Sequence, residues 1–204
     1  MHKAFGIVAR SIKNSHDFLI LSKRVNVIHQ YQDLINIFNA CFASSYNTRL
    51  IKGEAEPLYL PANSDQSYHA IYFAHGFFSS ALHECAHWFI AGKMRRNYED
   101  YGYWYIPDGR NVEQQALFQQ VEVKPQAIEL LLSCAANYRF HFSIDNLSGA
   151  PGDSAMFKKA VLDQAMRYHQ EGLPKRAALF CKRICQFYRQ ADNFQLNLSQ
   201  LRCE

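Results

Sequence analysis

No apolar run in the chain approaches the roughly 20 residues that a membrane-spanning helix needs. The stretch Phe18 to Leu21 (FLIL) is also too short for the core of a signal peptide, and no small-residue cleavage site follows it. These absences exclude a helical membrane protein, and the chain is expected to be cytoplasmic. None of the six cysteines stands in a C-x-x-C pair, so neither a disulfide framework nor a zinc ribbon is indicated. Cys181 and Cys185, four residues apart, read as buried reduced thiols in a helix. Charge of one sign is scarce too. A net charge of +4, with dispersed basic residues, is too little for a phosphate-tracking surface, so nucleic acid is excluded as a partner. There is no repeat, no low-complexity tract and no linker long enough to divide 204 residues into two domains.

Aromatic and apolar residues, by contrast, are plentiful, at 14% and 49% of the chain, enough for a substantial folded core. They concentrate around one motif. From Gly76 to Gly92 the sequence reads GFFSSALHECAHWFIAG, and after the two serines its only polar side chains are His83, Glu84 and His87. So apolar a helix must be buried, and buried polar groups need partners. His83 and His87 fall one turn apart on one face. Two neutral imidazoles converging on a divalent metal meet that need, and this is the H-E-x-x-H pattern.

Around the motif the chain reads as one α+β domain, mainly helical, with a small β-sheet. Val27, Tyr31, Leu34, Phe38 and Cys41 recur at helical spacing, predicting an amphipathic helix from Asn26 to about Ala43. Short strands are expected at Thr48 to Ile51, Leu58 to Leu60 and Ala70 to Ala74, parted by Gly53, Pro57, Pro61 and Asn63. Gly76 allows a sharp turn into the motif helix, with Ser79 or Ser80 expected as its cap and its end between Gly92 and Arg96. Tyr101 to Ile106 reads as an aromatic extended segment. A helix from Val112 to Tyr138 follows, which Pro125 is expected to kink or divide. Two further helices are expected, at Ala155 to Gln170 and Pro174 to Gln190. Residues 1–25 show no clean periodicity and are read as an N-terminal extension to a single domain spanning residues 26–204.

Two histidines rarely hold a catalytic metal alone, so a third ligand should lie downstream. Glu122, set between Val121 and Val123, is one candidate; Glu113 and Glu129 compete, although Glu129 also reads as an outward residue of its helix. On the pentad alone, the first reading is a zinc peptidase in which Glu84 activates a metal-bound water. A non-catalytic protein holding a structural metal is a further reading.

The chain resembles the elongation factor P hydroxylase family of bacterial proteins. The resemblance rests on NTRLIKG (Asn47 to Gly53), FAHGF (Phe73 to Phe77), HECAHW (His83 to Trp88), IAGK (Ile90 to Lys93), GYWYIPDGR (Gly102 to Arg110) and VEVKPQA (Val121 to Ala127), in that order. It implies a metal-dependent hydroxylase (a monooxygenase-type oxidoreductase) acting in post-translational modification. The substrate would be the β-lysylated lysine of elongation factor P. The ligand set would be His83, His87 and Glu122, with iron(II) as the expected metal and zinc as the alternative. A two-His-one-carboxylate set leaves positions open for dioxygen, as non-heme iron hydroxylation requires. Glu84 is then the catalytic candidate, ordering a metal-bound solvent or the substrate ammonium. Tyr103, Trp104 and Tyr105 are expected to wall the pocket and to receive the alkyl stem or ammonium. Lys93 and Arg110 are further candidate substrate contacts. With Arg95, Arg96 and Lys124 they form a basic surface expected to steer a folded acidic protein toward the site.

Overall fold

A computed structural model of the chain describes residues 28–54, 56–100, 109–143 and 154–194. Its elements run α1 (Tyr31–Phe42), β1 (Thr48–Lys52), β2 (Leu58–Leu60), β3 (His69–Phe73), α2 (Phe78–Ile90), a 3-10 turn (Arg95–Asn97), α3 (Val112–Ala136), α4 (Ser154–Glu171) and α5 (Lys175–Arg189). This is the expected architecture, mainly helical with one small sheet. The sheet has strand order β1-β3-β2, with β1 parallel and β2 antiparallel to the central β3.

The apolar pattern of α1 explains its orientation. Leu34, Phe38 and Phe42 recur every four residues and are fully buried. The helix starts at Tyr31 and not near Asn26, because Gln30 is still extended at φ −111° and Ile28 is exposed. Asn39, on the same helix, accepts a hydrogen bond from the Leu50 N–H through Oδ1 at 2.9 Å, satisfying part of the β1 edge. The other sheet edge is closed where Tyr59 and Asp100 exchange backbone hydrogen bonds of 2.7 and 3.0 Å.

A tight turn joins β3 to α2. His75 (φ 54°) and Gly76 (φ 70°) are both left-handed, which reverses the chain before Phe78. A Cβ on Gly76 would come within 3.1 Å of Lys52 Cε and 3.3 Å of Tyr31 Cε1, so a side chain there would be crowded as well as strained in φ. The expected serine caps are not used. Phe77 takes the N-cap position without a side-chain cap, and Ser80 Oγ instead accepts from the Ala74 N–H at 3.1 Å. The serine thus ties the helix to the end of β3. At the other end, α2 stops at Ile90, where arginines cover its last carbonyls. Arg96 Nη1 and Arg176 Nη2 donate to the Ala91 carbonyl at 2.8 and 2.7 Å, and Arg176 also reaches the Phe89 carbonyl.

Five rings pack the back of α2: Phe38 and Phe42 from α1, Trp88 and Phe89 from α2, and Phe180 from α5. On its other side lies α3, which opens with a reciprocal capping box between Asn111 and Gln114 and ends on the left-handed Asn137. Pro125 does not divide it. Proline removes one hydrogen bond to the Val121 carbonyl, but every residue from Pro125 to Ala136 is buried among α2, α4 and α5, and that packing carries the helix through. The five cysteines among the described residues are all free. Burial pushes the Cys181 thiol up to about 12, in keeping with a small apolar role.

Candidate metal centre

The motif helix and the carboxylate helix meet face to face. On α2, the rings of His83 and His87 stand one turn apart, 4.7 Å between centroids and 72° between planes. Their Nε2 atoms come to 3.0 Å. Glu122, on α3 and only 4% exposed, completes the cluster: Oε1 lies 3.3 Å from His87 Nε2 and Oε2 3.6 Å from His83 Nε2. All three ligand atoms lie within 4.8 Å of one another. Of the three carboxylates that the sequence left in competition, the structure brings Glu122 into the ligand cluster; Glu113 is exposed on the first turn of α3.

The donor set fits a divalent metal on two counts. Two imidazole nitrogens and one carboxylate oxygen are the ligands that iron and zinc accept, and among the described residues no fourth His, Cys, Asp or Glu joins the cluster. In addition, Glu122 Oε2 is buried without a hydrogen-bond partner, an orphan that a cation would satisfy.

Charge is concentrated here. Burial pushes the Glu122 carboxyl up, but the His87 and His83 rings and a hydrogen bond from Gln126 outweigh it and hold it down at about 2. Burial works to lower His83; its hydrogen bond to Glu129 and the charges of Glu129, Glu122 and Glu84 prevail and raise it to about 10. Glu84 is raised above the ordinary carboxylate value, chiefly by burial.

Glu84 and His87 line a cavity of about 50 Å³ between α2 and the sheet residues Tyr59 and Ile71. Ile71 and Ile90 supply apolar wall, while Tyr59, Trp88, Arg96 and Asp100 add polar groups. Tyr59 donates its hydroxyl proton to the Arg96 carbonyl at 2.9 Å, and Arg95 bonds Asp100 Oδ2 through Nε and Nη2 at 2.7 and 2.6 Å.

The remaining sequence candidates fare differently. Tyr103, Trp104 and Tyr105 lie outside the described residues, as does the extended segment they belong to. Lys93 is exposed just beyond α2. Arg110 is not a surface cation: it is fully buried, donates from Nε to Gln115 Oε1 at 2.7 Å and stacks 3.9 Å over Phe118. Arg95 and Arg96 are engaged by Asp100 and the Ala91 carbonyl. Arg110 therefore drops out of the expected basic surface, whereas Lys93, Arg95 and Lys124 are exposed and Arg96 is half-buried.

Sequence reasoning weighed Glu129 only as a rival ligand or an outward residue, and it missed Gln126. Glu129 is 6% exposed and not outward, and its Oε2 accepts from His83 Nδ1 at 2.8 Å. Gln126, fully buried, anchors Ser143 through two hydrogen bonds, Nε2 to the Ser143 carbonyl at 2.7 Å and the Ser143 N–H to Oε1 at 3.2 Å. The signal was spacing: Gln126 and Glu129 stand four and seven residues after Glu122, so one helical face carries all three.

An H-E-x-x-H helix set against a buried carboxylate on a neighbouring helix is an arrangement that could hold a divalent metal. The chain belongs to the elongation factor P hydroxylase family, whose model matches residues 37–199. It is 54% identical over 175 residues to the elongation factor P lysine hydroxylase of Haemophilus influenzae, an alignment covering 86% of this chain and 98% of that protein.

Proposed function

We propose that this protein is a metal-dependent hydroxylase of elongation factor P, acting on the β-lysylated form of its modified lysine. The observation that carries the reading is the convergence of His83, His87 and Glu122 in a member of this family. The three residues would hold iron(II), which when bound supplies the activation of dioxygen. The protein's own part is geometric and electrostatic. α2 presents both imidazoles by Nε2, and α3 presents the carboxylate opposite them. Glu84 lines the adjoining cavity beside His87, where an anionic carboxylate would bind the substrate's ammonium by a charge-assisted hydrogen bond. Ile71, Ile90 and the ring of Tyr59 offer the alkyl stem an apolar wall. The catalytic domain is taken as residues 26–204, and the site of action as the cytoplasm. Among the described residues no helix is long and apolar enough to cross a membrane.

Mass spectrometry of elongation factor P tests the reading. Factor from cells lacking this gene should carry the lysyl modification without the final oxygen atom. The wild-type gene should restore that oxygen, whereas H83A, H87A and E122A should not. Full hydroxylation in the deletion strain, or in cells expressing only E122A, would overturn the assignment.

A further inference from the structure

We infer that Glu129 is a positioning residue of the metal centre: it fixes His83 in the tautomer and ring orientation that turn Nε2 toward the metal. This inference rests on the metal site proposed above. Its ground is a contact 46 residues long in sequence, the 2.8 Å hydrogen bond between His83 Nδ1 and Glu129 Oε2. An imidazole with its proton held at Nδ1 leaves the Nε2 lone pair free, and His83 Nε2 is the atom that faces His87 and Glu122. A neutral His83 without that acceptor could carry its proton on either nitrogen or turn its ring over.

The burial of Glu129 is explained by its contact with His83. A carboxylate taken out of water is unfavourable unless it is paired. Among the described residues, the ion-pair partner of Glu129 is His83, and no lysine or arginine pairs with it. The surroundings make the contact rigid. Glu129 sits in the stretch of α3 that is buried at every position, two helical turns beyond Glu122, so one rigid element delivers both a ligand and the group that orients another. Such an outer carboxylate also raises the basicity of the imidazole it holds, and its removal typically costs about 10- to 100-fold in metal affinity.

Cobalt(II) binding to the full chain, without elongation factor P, tests this through affinity by chelator competition and through the visible absorption of the bound ion. E129L should bind cobalt(II) about 10- to 100-fold more weakly than the wild type, with an altered spectrum. E129Q, whose Oε1 still accepts from Nδ1–H, should keep a wild-type-like spectrum and lose less, about 10-fold or under. That graded order, with rescue of the spectrum by glutamine, is not expected of a residue that only packs the core. Wild-type affinity and spectrum in E129L would overturn the inference. If E129L does not fold, E129A decides: wild-type affinity and spectrum there would overturn the inference equally. H83A is the control. Wild-type protein binding cobalt(II) no better than H83A would instead bring down the metal site itself.

Discussion

Truncating Phe38 to alanine should loosen the molecule without disturbing the metal centre, because its ring supports the far side of α2. Phe38 is fully buried on α1, with ring centroids 4.8 Å from Phe42, 5.3 Å from Trp88, 5.6 Å from Phe180 and 6.2 Å from Phe89. Phe→Ala at core sites costs about 3–5 kcal/mol. Four aromatic neighbours, each pair adding about 0.5–1.5 kcal/mol beyond area burial, place this site in the upper half of that range. A loss of about 4–5 kcal/mol in a chain of this size lowers Tm by about 8–20 °C. That is a large share of a total stability of about 5–15 kcal/mol. Metal at a hundredfold excess over its Kd should add about 2.7 kcal/mol to wild type and variant alike. Urea unfolding followed by circular dichroism, with and without metal, measures both quantities. The wild-type and F38A curves should stay offset by the same amount in the two conditions. A loss below about 1.5 kcal/mol would refute the claim that the ring cluster holds α2 in place. A metal increment present in the wild type and absent in F38A would show that the cluster shapes the site as well as supporting it.

Two further outcomes follow from the charges around the site. With its folded value raised from 6.5 to about 10, His83 contributes stability to the metal-free protein that is fully present below pH 6.5 and lost as pH rises through about 10. Metal must displace that proton, so affinity should rise toward tenfold per pH unit over the same window while metal-free stability falls; parallel cobalt(II) titrations and thermal melts from pH 6.5 to 9.5 check it, and two flat profiles would refute it. E84Q should keep its metal, since Glu84 is outside the ligand cluster, but should lose about 10- to 150-fold in kcat/KM on modified elongation factor P, the worth of one hydrogen bond to a charged group. Metal loss in E84Q as deep as that in H83A would contradict this division of roles.

How far the site could be read in the sequence depended on how each helix is buried. α1 has one apolar stripe, and α2 combines an apolar body with three polar residues at fixed spacing, so helical period alone identifies their inward faces. The second half of α3 is enclosed on all sides, and there the period says nothing about direction. Glu129 was read as outward for that reason, and only the structure shows it turned toward His83. Pro125 misled in a related way: local propensity marks a break, whereas tertiary packing decides. The basic residues are the third case. Spacing cannot tell a solvated arginine from one stacked on Phe118 like Arg110, or from one covering helix carbonyls like Arg96 and Arg176. The candidate trio was within reach because family-length motifs span both helices; Gln126 and Glu129 follow Glu122 at helical spacing, but on a helix enclosed all round spacing does not say what they touch.

The ring cluster behind α2 has a consequence for how the protein is made. Phe38, Phe42, Trp88 and Phe89 are all synthesised before α3 begins, but Phe180 emerges roughly 90 residues after Trp88, a delay of about 5–20 s at ordinary translation rates. The clasp that joins the two ends of the fold, Tyr188 OH donating to Asp33 Oδ2 at 3.1 Å, comes later still. Once α3 has followed, the histidine helix has Glu122 available on one side while its aromatic surface still lacks Phe180 on the other. The apolar surface that α1 and α2 share is thus covered last, by the final long helix of the fold.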